Sequence, residues 1–213
     1  MVIHYTAMAS TESARRRLSD PASEVSAHYL ISRGGSVIQL VDEAERAWHA
    51  GAGSWQGRGD VNSRSSGIEL TNTGQEPFGE RQMAALETLL AGVLARWGLG
   101  PDAVIGHQDM APWRKPDPGP RFDWRRLALG GLSIWPSHSG DPAIPFCDSA
   151  ARFGYPAPGS APDAGSHALL AAFRARFRPG AMGPEDAGDR ALLAGLADEW
   201  GGEWGLDRRG DGA

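Results

Sequence analysis

Of the 21 Lys and Arg residues in this chain, only Lys115 is a lysine. It lies in the stretch Gly106-His107-Gln108-Asp109-Met110-Ala111-Pro112-Trp113-Arg114-Lys115-Pro116-Asp117-Pro118-Gly119-Pro120. An ammonium group is a compact charge with three rotatable donors, whereas a guanidinium is a broad planar fork, so the two are poor substitutes for each other. A lone lysine has to sit somewhere, but a histidine, an aspartate and a proline-locked loop around it favour a catalytic reading. His4 closes the first apolar run, His107 follows Val104-Ile105, and Asp117 comes ten residues later between Pro116 and Pro118. Two imidazoles and one carboxylate form the donor set of a hydrolytic zinc site, whose fourth position stays open. Taken singly, a strand-end histidine is more often structural, so spacing alone leaves the set open.

These groups need a scaffold, and the apolar periodicities supply one. Val2 to Tyr5 reads as a short central strand, and residues 11–18 as a helix capped by Ser10 or Thr11. His28-Tyr29-Leu30-Ile31-Ser32 and Ser36-Val37-Ile38-Gln39-Leu40 flank Gly34-Gly35 as a hairpin. Ser66 to Leu70 is another strand candidate. From Glu80 to Trp97, Met83, Leu86, Leu89, Leu90, Val93, Leu94 and Trp97 recur at helical spacing until Gly98 and Gly100. Ala103 to Gly106 is a buried strand that delivers His107. Alternating strands and helices predict an α/β fold, a mixed central sheet flanked by helices. Beyond residue 137, prolines and glycines make a linker-like stretch around one short helix, Ile144 to Phe153. Helices over His167–Phe177 and Arg190–Trp200 then complete a small C-terminal three-helix bundle. The expected division is therefore 1–137, 138–204 and a frayed tail over 205–213.

Bulk properties exclude several classes. With 41% hydrophobic and 22% charged residues the chain is globular, and a net charge of −5 leaves no basic stripe for nucleic acid. No apolar run has the length of a membrane span. Cys147 is the single cysteine, so no internal disulfide forms. The chain opens directly inside a core strand, which suggests a gene start further upstream. A cytoplasmic location is expected for the sequence as it stands, and the cell envelope if a leader precedes it. A monomer is expected.

Five segments in order carry a resemblance: Val2-Ile3-His4-Tyr5-Thr6-Ala7-Met8, Val25-Ser26-Ala27-His28-Tyr29-Leu30-Ile31, Ala47-Trp48-His49-Ala50-Gly51, Asn62-Ser63-Arg64-Ser65-Ser66-Gly67-Ile68-Glu69-Leu70, and Gly106 to Pro112 continued by Lys115 to Trp124. Together they resemble zinc-dependent N-acetylmuramoyl-L-alanine amidases of the AmpD and AmiD types, which are related to peptidoglycan recognition proteins. Residues 153–179 more loosely resemble the small helical peptidoglycan-binding domain of the AmiD type.

The resemblance implies one zinc ion per chain on His4, His107 and Asp117, with Glu69 as general base and then acid and Lys115 as electrophilic partner. The substrate would be peptidoglycan or its muropeptides. His49, Asn62, Arg64 and Trp113 become candidate substrate contacts, while His28 reads as a core residue. Two alternatives remain at this point: a non-catalytic peptidoglycan-binding module, and a zinc peptidase acting within the stem peptide. The C-terminal bundle would hold wall polymer and raise its effective concentration. Removing residues 140–213 should then weaken action on polymer more than on soluble fragments. Two departures from the family pattern stand out: the segment before the first strand is missing, and Trp113 and Pro116 replace the more usual smaller residue and non-proline.

Overall fold

The apolar start of the chain becomes β1 (Val2–Tyr5), an inner strand of the sheet that organises the molecule. The computed structural model describes residues 1–157 and 162–202, so the tail expected over 205–213 lies outside the described residues. With β2 (Tyr29–Ile31), β3 (Val37–Gln39), β4 (Gly67–Leu70) and β5 (Ile105–Gly106), β1 forms a five-stranded sheet in the order β3-β2-β4-β1-β5. Only the hairpin pair β2–β3 is antiparallel; β2–β4, β4–β1 and β1–β5 are parallel. The hairpin turn uses Gly35 at φ +88, where a Cβ would also meet the Arg81 carbonyl at 2.6 Å. The expected mixed sheet is thus present, flanked by helices.

Helix α1 (Thr11–Ser19) is capped by the Ser10 hydroxyl, which accepts from the Ser13 N–H. Helix α2 (Glu80–Trp97) ends where Gly98 adopts φ 60 and donates back to Ala95 and Leu94. Its Met83, Leu86, Leu90 and Val93 pack on Ile3, Ile31, Ile68 and Leu70 from one face of the sheet. The Gln82 side chain, also buried, donates to the Ile31 and Thr71 carbonyls at 3.0 and 3.2 Å and so satisfies backbone at two strand ends. Because Leu90 is fully buried there, Leu90→Ala is expected to cost about 2–5 kcal/mol. Urea unfolding measures this, and a loss below about 1 kcal/mol would mean that α2 is not part of the core.

Several elements depart from the sequence expectation. The strand expected from Ala103 is shorter, because Pro101–Ala103 winds into a single 3-10 turn and pairing begins at Ile105, whose N–H donates to Met1 O at 3.0 Å. Beyond β5 the chain forms a one-turn helix rather than a loop, α3 (His107–Met110), and later α4 (Trp124–Leu129). Both helices are too short to show helical periodicity.

Three C-terminal helices complete the chain's described part: α5 (Phe146–Phe153), α6 (Pro162–Phe177) and α7 (Ala187–Trp200). Helix α7 starts earlier than its apolar pattern suggests because Asp186 and Asp189 form a reciprocal capping box. A second apolar cluster of Phe146, Phe153, Phe173, Phe177, Leu193 and Leu196 holds these helices together. Ile134, Trp55 and Trp135 join it from earlier in the chain. Among the described residues, no helix is long and apolar enough to cross a membrane.

Candidate metal centre and active site

Because β1, β4 and β5 run parallel, their C-terminal ends open on one edge of the sheet, where α/β folds place ligands. His4 and Glu69 are register partners on adjacent strands and therefore share a face. β5 hands the chain to His107, the first residue of α3. The Gln108 N–H donates to the Asp117 carbonyl at 2.8 Å, which folds the proline-rich loop back beneath His107.

Three side-chain atoms converge as a result. His4 Nδ1 lies 2.8 Å from His107 Nδ1 and 3.0 Å from Asp117 Oδ2, and His107 Nδ1 lies 3.1 Å from the same oxygen. All three residues are buried, and together they form a group able to hold a metal ion. Bonds of about 2.0–2.2 Å to a shared cation suit donors at this separation. The far ring nitrogens are also engaged: His107 Nε2 faces the Ala50 carbonyl at 2.8 Å, and His4 Nε2 faces His49 Nδ1 at 3.0 Å. With each Nδ1 lone pair turned to the shared point, the ring hydrogen sits on Nε2, and His49 then passes its own Nε2 hydrogen to the Ser65 carbonyl at 3.3 Å. No Cβ fits at Gly67, since it would lie 2.4 Å from the His49 ring.

The electrostatics suit ligation. Burial, reinforced by the neighbouring His107, lowers the His4 imidazole to about 4, so it is neutral at pH 7. Burial alone would raise the Asp117 carboxyl, but its close polar contacts with the His107 and His4 imidazoles outweigh it and hold the group ionised, well below the ordinary range. Glu69 goes the other way: burial and the Asp117 charge raise it to about 8, only partly offset by Lys115. Its Oε2 is buried without a hydrogen-bond partner from the described residues.

His4, Glu69, His107, Lys115 and Asp117 line one cleft of about 530 Å³. The structure therefore brings together every residue expected to ligate metal or carry catalysis. His49 borders the cleft too, but its ring is mostly committed to His4 and Ser65. Asn62 and Arg64 are not brought to it. The Asn62 side-chain oxygen accepts the His49 and Ala50 N–H groups at 3.0 and 2.8 Å, which fixes the loop, while exposed Arg64 faces a separate depression beside Glu43 and Trp97. Trp113 lines a neighbouring groove of about 690 Å³ between the Lys115 loop and α6, joined to the cleft through Arg114, Lys115 and Pro116. His28 is a core residue that accepts from the Gly67 N–H and meets the Glu45 carbonyl. Tyr5, Arg17 and Trp48 also line the cleft without having been singled out. For Trp48, adjacency to His49 was the available signal, whereas Arg17 reads in sequence as ordinary helix-face charge.

Residues 1–120 match the Amidase_2 family, N-acetylmuramoyl-L-alanine amidase. The chain is 33% identical to N-acetylmuramoyl-L-alanine amidase AmiD of Escherichia coli K12, over 94% of this chain and 83% of that protein. It is 44% identical to the 1,6-anhydro-N-acetylmuramyl-L-alanine amidase AmpD of Enterobacter cloacae, over 48% of this chain and 55% of the relative. Among solved structures, the complex of E. coli AmiD with anhydro-N-acetylmuramic acid-L-Ala-D-gamma-Glu-L-Lys superposes with a TM-score of 0.86 at 34% identity, covering 94% of this chain and 88% of that one. The fold, the converging donor set and these matches agree: the chain belongs to the N-acetylmuramoyl-L-alanine amidase family.

Proposed function

We propose that the chain hydrolyses the amide bond between N-acetylmuramic acid and the L-alanine of the stem peptide, using one zinc ion held by His4, His107 and Asp117. The observation that carries this reading is the convergence of those three donors with Glu69 and Lys115 on one cleft. When bound, zinc acidifies water toward a pKa of about 7 and polarises a carbonyl. Glu69 takes the proton from the attacking water and returns it to the leaving amine, a task suited to a carboxyl tuned toward neutrality. Lys115 supplies positive charge to the oxyanion that develops on the attacked carbonyl. Proline on both sides of Asp117 restricts the loop that presents Asp117 and Lys115. The small helical unit made by α5, α6 and α7 holds the rest of a wall polymer, with the groove beside Trp113 as the connecting surface.

The rival readings differ in product. Incubation with soluble anhydro-muropeptide should release intact stem peptide and a muramyl sugar free of alanine, resolved by mass spectrometry. A sugar that retained alanine would indicate a peptidase. Unchanged muropeptide that nonetheless bound would indicate a recognition module. The complete donor set argues against that last case, since a binder has no use for a buried three-donor cluster beside an unpartnered carboxyl.

A further inference from the structure

Helix α6 reaches underneath the metal-binding corner. Arg176, near its C-terminal end, forms an ion pair with Asp109 of α3, NH1 to Oδ2 at 2.7 Å, and neither side chain has any exposure. The same Asp109 oxygen accepts the Gly106 N–H at 2.7 Å, immediately before His107, and the other oxygen accepts the Tyr155 hydroxyl at 3.2 Å. The second Arg176 nitrogen donates to the Val104 carbonyl at 2.9 Å. The guanidinium also lies over Trp124 and Phe177, 4.5 and 4.8 Å from the ring centroids. One side chain of the C-terminal unit thus grips the β5-to-α3 corner on both sides of His107. Gln108 adds a longer link from α3 to the Ala172 carbonyl on α6 at 3.4 Å.

Holding wall polymer does not call for this arrangement. Apolar packing would dock the helices, and a buried ion pair is often no more stable than a hydrophobic replacement of similar volume. What the pair adds is fixed geometry, because two charge-assisted bonds and a ring stack hold a planar fork in one place. Groups bonded directly to a metal ligand orient it and tune its affinity. Here the contacts fall on the backbone just before His107 and would act on the ligand through its main chain.

We infer that Arg176 of the C-terminal unit, with Tyr155, is a positioning residue for the metal centre: it braces Asp109 and so sets where His107 points. The inference rests on the ligand set proposed above. It also revises the expectation for truncation, since removing residues 140–213 strips Arg176 and Tyr155 and should impair soluble fragments and polymer alike.

The test uses the full chain with cobalt(II) in place of zinc, reading the d–d absorption spectrum and the affinity by chelator competition. Removing one charge alone would strand the other, so the informative variant is R176M combined with D109N, in which a neutral amide can still accept the Gly106 N–H. This variant is expected to retain its circular dichroism and a cooperative melt, bind cobalt about 10–100-fold more weakly than the parent, and shift the d–d bands. On soluble muropeptide, kcat should fall more than KM rises. Parent-like affinity and spectrum in the folded variant overturn the inference. Should the double variant not fold, Arg176→Lys keeps the charge and loses the fork. Several-fold weaker cobalt binding is then expected, and unchanged binding overturns the brace. A parent that binds no cobalt refutes the ligand set itself, and the brace with it, which separates the two failures.

Discussion

Glu69→Gln and the parent are both expected to bind zinc at one equivalent per chain, while the variant loses turnover of anhydro-muropeptide by about 10²–10⁴-fold. The amide preserves volume and can still accept a hydrogen bond, so the cleft should keep its shape, but it has no proton affinity in the useful range. Zinc content by mass spectrometry of the metal and single-turnover peptide release measure the two halves separately. Turnover within a few-fold of the parent would remove Glu69 from the mechanism.

A pH signature accompanies that change in protein stripped of metal. Burial and Asp117 raise the Glu69 carboxyl from its ordinary 4.5 to about 8. The folded chain therefore binds more protons at this group than the unfolded chain between those values. The stabilisation from holding a neutral carboxyl is complete below about 4.5 and is lost as pH rises through about 8. The side-chain amide of Glu69→Gln does not titrate, so the melting temperature of the variant should gain on that of the parent as pH rises across this window. A difference that stays flat from pH 4.5 to 8 would show that Glu69 is not held in a desolvated pocket.

The same residues show which features were legible in the sequence. The strands that carry His4 and Glu69 could be placed because each is a short apolar run, and parallel pairing then sets the two residues side by side, whereas the role of Glu69 came from the family resemblance. Lys115 stood out by composition, and Asp117 by the prolines that bracket it. Arg176 had no such signal, since it is one of two arginines at the end of α6 and nothing in the sequence separates it from ordinary helix-face charge. Its burial is decided by how α6 lies against α3, a long-range contact that no local pattern encodes. Asn62 and Arg64 lie away from the cleft for a related reason. Their motif marks a loop that positions His49, and which side of that loop faces the cleft depends on the tertiary turn over Val61–Arg64. Motif membership identifies a neighbourhood, and only packing determines which members touch substrate.

Lys115→Met should lower kcat on soluble muropeptide by about 10²–10³-fold, the usual effect of removing one oxyanion donor, with zinc affinity and KM little altered. The reasoning depends on where the residue sits. Lys115 is not among the metal donors, yet its charge is felt at both His4 and Glu69, so it lies within electrostatic reach of the reacting centre. It also shares the cleft wall with them, and its backbone N–H is tied to the Ala111 carbonyl at 3.0 Å, so the stem leaves from a fixed point. Pro116 restricts Lys115 to extended backbone, which limits how far the side chain can compensate. Lys115→Arg is consequently a sharper test than its conservative look suggests. It keeps the charge but spreads it over a planar fork wider than an ammonium, in a wall already occupied by Arg114, whose guanidinium is committed to the Ala50 and Ala52 carbonyls. Arginine should restore no more than about tenfold of the loss, since point-charge placement rather than net charge is what the developing oxyanion senses. Full activity in Lys115→Arg would mean that the position supplies only a general field. Full activity in Lys115→Met would mean that the solitary lysine of this chain takes no part in the reaction.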